Sequence, residues 1–154
     1  MSWDTIFTLV NAVALFGWLL LFVGSRGPKT AAVVLFAGVG LLCLAYASMI
    51  VGMHFGWIDS ARPTGAPPPN FADYNIDGLQ NLFVSRGGMV LGWTHYLAFD
   101  LFVGQWVAKD ADHKGFSRLA QAPVLFLILM AGPVGLLVWL VLRERRARRM
   151  SRAL

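Results

Sequence analysis

Four apolar runs divide the chain, at about residues 3–23, 31–58, 89–107 and 119–142. Each comes close to or exceeds the roughly 20 residues that a helix needs to cross a bilayer. Lipid offers no hydrogen bonds to an open backbone, so such runs are satisfied inside a membrane only as helices. The composition agrees: 57% of the residues are hydrophobic and 14% charged, and the mean hydropathy is +0.62. A soluble domain has about 25% charged residues. The expected fold is all-α: one transmembrane domain, an integral membrane four-helix bundle with one long loop between spans 2 and 3.

Charge is unevenly placed. Arg143, Arg145, Arg146, Arg148, Arg149 and Arg152 fall in the tail, residues 143–154. A basic run directly after an apolar span reads as an anchor on anionic lipid headgroups rather than as a nucleic-acid site. Four crossings would put both termini and the long loop on one side of the membrane. That side would carry eight Lys/Arg (Arg62, Arg86 and the six of the tail) against five for the short loops (Arg26, Lys29, Lys109, Lys114, Arg118). Positive-inside counting then expects cytoplasmic N- and C-termini. The balance rests on the tail, because without it the count reverses to two against five. The start, Met1-Ser2-Trp3-Asp4, has no basic n-region of a signal peptide, so the first run is expected to stay in the mature chain. Cys43 is the one cysteine and lies in an apolar run, so no disulfide framework is expected. Assembly as a homo-oligomer stays open.

Residues 60–86 form the long connection. Pro63, Pro67, Pro68 and Pro69 argue for an extended start, and Leu79, Leu82 and Phe83 recur at helical spacing, with Asp77 as an N-cap. Gly132-Pro133-Val134-Gly135 interrupts the fourth run. A proline there removes a backbone hydrogen bond and kinks the helix, which either shapes packing alone or makes a pocket beside the kink.

The third run carries chemistry. A carboxylate at the centre of a spanning helix costs about 2.5–3.5 kcal/mol on an insertion scale, so Asp100 needs a polar partner or a task. His95 precedes it by five positions, about 140° around the helix, which makes a direct His–Asp dyad on one small site unfavourable. His95, Phe99, Phe102 and Trp106 form one stripe; Trp93, Tyr96, Asp100 and Val107 form a second. Asn11, His54 and His95 share a depth roughly 6–12 Å inside the face that the long loop covers, by helical rise. Two histidines could ligate iron or zinc, but the spacing supplies no third ligand, so a metal is unassigned, and both no cofactor and iron stay open. The aromatic load suits packing, or the walls of a site for a long conjugated molecule entering from lipid. The candidates for binding are Trp93, Tyr96, Phe99, Phe102, Trp106, His54 and Asn11.

Trp93-Thr94-His95-Tyr96-Leu97-Ala98-Phe99-Asp100-Leu101-Phe102 resembles the Trp-x-His-x-Leu-Ala-x-Asp-Leu-Phe signature of the small membrane family typified by the plant neoxanthin-synthesis protein, the abscisic-acid-deficient type. Gly132-Pro133-Val134-Gly135 is similar to that family's C-terminal Phe-Gly-Pro-x-Gly pattern, with Ala131 where Phe is common, and Leu79 to Phe83 to its Leu-x-x-Leu-Phe stretch. The resemblance implies work on a carotenoid, with His95 and Asp100 as the catalytic residues of an isomerisation in which an acid opens an epoxide and a base removes a proton. For a member in a bacterial inner membrane it implies conversion or oxidative cleavage of a simpler carotenoid such as β-carotene. The alternatives are a carotenoid- or retinoid-binding protein without catalysis, and a small membrane scaffold or transporter.

Overall fold

The computed structural model describes residues 1–70 and 72–151, with side chains through Glu144 except at Phe71. Ser2 opens α1 (Trp3–Val23) by accepting the Thr5 N–H at 3.2 Å, one of the helix-start donors that have no partner within the helix. The next rod is continuous from Pro28 to His54. It comprises α2 (Pro28–Val33), a π-helical stretch (Val34–Gly40) and α3 (Leu41–His54). Pro28 begins it at a position where a missing N–H loses no bond. The short α4 (Ile76–Phe83) is capped by Asn75, whose side chain accepts from Gly78 at 2.7 Å. The expected cap, Asp77, instead lies in the first turn. Ser85 caps α5 (Arg86–His113) through Gly88 at 2.9 Å, and α6 (Arg118–Ser151) follows a short loop.

Three helical stretches, Trp3–Val23, Pro28–His54 and Arg118–Glu144, are long and apolar enough to cross a membrane. Large apolar side chains such as Leu15, Phe36 and Leu44 point outward from them, as lipid-facing residues do. By composition α5 is not among the three, yet it is the central element, packed against α1, α3 and α6. Its inner face buries Thr94, Asp100 and Gln105 together with Leu101 and Val107. Other helices shield this face, so it tolerates polar groups that lipid would not. Glycines permit the close approach: Gly17 faces Leu101, and Gly104 faces the Trp18 ring.

The expected fourth span, 119–142, is not straight. Ala131 has φ −155 and ψ 73, outside the helical region. Gln121, early in α6, donates to Asp112 at 2.7 Å, and Arg143, late in α6, donates to Asp110 at 3.0 Å. In a straight helix residues 121 and 143 would be roughly 33 Å apart. The helix therefore turns back on itself. Gly135 lies against the main chain of Ile128, and the Trp139 ring meets Phe116 edge-on at 5.1 Å, which fixes the two arms side by side. The cause is local: Pro133 has no N–H and would clash with the carbonyl four residues before it, while a proline suits the first turn of a new helix. The four-helix bundle is thus corrected to three long rods and one helical hairpin.

The hairpin places Arg143 at the end of the bundle opposite Trp3. Trp3 donates to the Asp59 carbonyl at 3.0 Å and Asp4 pairs with Arg86, so the N-terminal end lies with the long loop. Arg143 lies at the other end, where Arg26 meets Asp112 at 3.6 Å. The remaining tail arginines have side chains outside the described residues.

Candidate functional site

The hairpin turns beside Asp100, the midpoint of α5. Asp100 is 8% exposed, and its Oδ2 is buried without a hydrogen-bond partner among the described residues. A Cβ on Gly132 would collide with Asp100 Oδ1 and lie 2.7 Å from its carboxyl carbon, so only glycine lets the break in α6 close on the carboxyl. Tyr96, one turn earlier on α5, brings its hydroxyl to both Asp100 and the Gly132 main chain. Residues at the break are also the start of the second arm, and a helix start presents N–H donors without intrahelical partners. A carboxyl, a phenol and main-chain donors therefore converge at mid-depth.

Aromatic contacts extend this group toward the long-loop end. Trp93 stacks on Tyr96 at 5.2 Å, donates to Asn11 Oδ1 at 3.1 Å and tilts against Phe7 at 6.0 Å. Asn11 in turn donates to the Phe7 carbonyl at 2.7 Å, which holds its amide in place. Beyond Phe7 a cavity of about 300 Å³ opens between α1, α4 and α5, with Trp3, Phe83, Met89 and Val90 in its walls. Of the sequence candidates, the structure brings together Asn11, Trp93, Tyr96 and Asp100.

It separates the others. His95 is exposed, stacked on Phe99 at 4.5 Å and facing Tyr46 of α3 at 5.6 Å. Phe99, Phe102 and Trp106 continue that outward stripe, and Arg143 lies over the Trp106 ring at 5.5 Å. His54 is exposed at the end of α3 with its ring edge-on to Phe55. No hydrogen bond or ring contact among the described residues joins Asn11, His54 and His95. Nor is any group of three or more His, Cys, Asp or Glu side chains among the described residues placed to hold a metal ion. The iron alternative thus finds no donor set among the described residues. Sequence reasoning missed Gly132 as the surface under the carboxyl and Phe7 as the wall of the cavity. The spacing of Phe7 to Asn11, one helical turn, was the available signal for the latter.

The other end of the bundle is a charged lock. Asp110 accepts from Lys114 at 2.5 Å, from Arg143 at 3.0 Å and from Trp139 at 3.1 Å. Burial by itself raises its pKa, but the Lys114 hydrogen bond, the charges of Arg143 and Lys114 and the Trp139 bond outweigh that and hold the carboxyl below its ordinary value. This is what fastens the returning arm of α6 to α5.

No curated protein and no solved structure matches the chain. The family model does, and it spans both the motif on α5 and the break in α6. The chain belongs to the ABA DEFICIENT 4-like family, whose model matches residues 5–139 and which is linked to neoxanthin synthesis, a carotenoid-related role.

Proposed function

We propose that the protein is a membrane enzyme that converts a carotenoid by proton transfer at Asp100. The observation that carries the reading is the buried Asp100 carboxyl, with one oxygen unpartnered, closed against Gly132 beside the Tyr96 hydroxyl. A carboxyl and a phenol within reach of each other can give and take protons in one redox-neutral isomerisation. Family membership supports the substrate class. The cavity of about 300 Å³ suits one end group of a long molecule, whose chain would then lie along lipid-facing aromatic walls. His95, with Tyr46 and Phe99, is assigned to contact with that chain rather than to the proton path. In this reading α5 crosses as a third full-length rod. The end bearing Arg26, Lys29, Lys109, Lys114, Arg118 and Arg143 faces the cytoplasm of a bacterial inner membrane.

The test is expression in carotenoid-producing bacteria, one strain making β-carotene and one making epoxycarotenoids, with extracted pigments resolved by chromatography. A new pigment isomer that disappears with Asp100→Asn and falls less with His95→Ala is the expected result. Pigment that co-purifies unchanged would replace catalysis by binding. Untouched pigment beside a colourless protein in both strains would end the carotenoid reading.

A further inference from the structure

A second groove lies at the end of the bundle opposite the Phe7 cavity, and neither Asp100 nor the carotenoid reading makes use of it. It holds about 730 Å³ between the end of α1, the start of α2 and the end of α5. Its inner wall is apolar, formed by Leu20, Leu21, Val34, Leu35 and Phe36. Its outer rim is charged and polar: Arg26, Lys109, Thr30, His113 and one acid, Asp112. Gln105 donates to the Ala31 carbonyl at 2.6 Å and pins α2 to α5 across the floor. The wall includes the first residues of the π-helical stretch, an irregularity often found where a helix is shaped around a ligand.

Arg26 is the telling residue. Its side chain is 17% exposed, and its Nε is buried without a hydrogen-bond partner among the described residues. Asp112 approaches at 3.6 Å, beyond ordinary hydrogen-bond length, and its Oδ1 already accepts from Gln121. Burial lowers the Arg26 pKa, Asp112 opposes this, and nearby Arg118 adds to it. A guanidinium offers five donors in a planar fork suited to phosphate oxygens. A cation left this incompletely matched, directly above an apolar slot at the membrane boundary, calls for an anion attached to a hydrocarbon chain.

We propose that this groove binds one anionic phospholipid, its phosphate held by Arg26 and Lys109 at the rim and an acyl chain laid along Leu21, Val34 and Phe36. Charge favours that occupant over a zwitterionic lipid, since Arg26 and Lys109 line the rim and Arg118 adds its charge near Arg26. The volume is too large for inorganic phosphate alone and suits a headgroup with the first part of a chain.

The full-length protein in detergent, stripped of lipid, would be titrated with phosphatidylglycerol, phosphatidylcholine and inorganic phosphate, and bound species counted by native mass spectrometry. One tightly held phosphatidylglycerol is expected, with phosphatidylcholine bound more weakly and phosphate unable to displace the lipid. Arg26→Gln with Lys109→Gln should weaken the complex roughly 25-fold, at about fivefold per basic residue. Ala32→Trp keeps both cations and fills the slot, so loss of the lipid with helical circular dichroism intact would separate occupancy from folding. Neutralising Arg145, Arg146, Arg148, Arg149 and Arg152 should leave the single lipid bound. Equal retention of the two lipids would overturn the proposal. So would displacement by phosphate, or loss with the tail variant and not with the Arg26 and Lys109 pair.

Discussion

Arg143 donates to Asp110 at 3.0 Å, at the same end of the bundle where α6 begins. This bond and the one from Trp139 to the same carboxylate hold the returning arm of α6 against α5. It leaves Arg143 level with Lys29 and Lys114, and on the opposite side from Thr64 and Ser2.

The side of each segment is measurable. In a Cys43→Ala background, single cysteines at Lys29, Thr64 and Glu144 would be treated in intact cells with a membrane-impermeant maleimide. Lys29→Cys and Glu144→Cys should behave alike and opposite to Thr64→Cys. Agreement of Glu144→Cys with Thr64→Cys would mean that α6 crosses the membrane straight.

Gly132→Ala tests the closure on Asp100. The added methyl meets the carboxyl directly, so the break must shift. Overpacking of this kind costs about 1–3 kcal/mol. The expected outcome is a lower midpoint of thermal unfolding in detergent together with loss of pigment conversion. Wild-type conversion by Gly132→Ala would remove the close Asp100–Gly132 contact from the mechanism.

Asp110→Asn tests the lock. Hydrogen bonds to charged groups contribute about 1.5–3 kcal/mol, so the variant should unfold at clearly lower temperature at pH 7. The folded pKa of Asp110 lies below its ordinary value of 3.8. Its stabilisation is therefore complete above 3.8 and lost as the pH falls through the folded value. The gap between wild type and variant should stay constant from pH 7 to 5 and shrink below about pH 4. A gap that closes between pH 7 and 5 would contradict the assigned direction.

Asn11→Ala removes the acceptor of the Trp93 indole. An interhelical bond of this type is worth about 1 kcal/mol, so the fold should persist with a small loss of stability. Loosening of Trp93 over Tyr96 should lower conversion more than stability, seen as a reduced turnover at nearly unchanged unfolding temperature. An unchanged turnover would make Asn11 a packing residue alone.

Much of the fold was legible from residue spacing. Helical periodicity found α4 around Leu79, Leu82 and Phe83, and the 140° between His95 and Asp100 argued against a direct dyad; the structure leaves His95 exposed and Asp100 buried. Hydropathy located the ends of α1 to within a residue. It could not see the hairpin, because an apolar run reads the same whether it crosses or returns. The signals were present in Gly132-Pro133 at the run's middle and in a charge count that depended on the tail. The carboxyl's setting was legible only as a need, since Gly132 lies 32 residues away from Asp100 and contact between them follows from the fold.

Because α6 doubles back beside the midpoint of α5, the molecule has unequal cross-sections in the two halves of the bundle. Five helical segments pack in the half of the bundle that ends at Asp110, against three long rods and the short α4 in the half that holds Asn11. The protein is a wedge. Seated in a bilayer as proposed, it displaces more lipid from one leaflet than from the other, so local curvature and lateral pressure bear on the break beside Asp100.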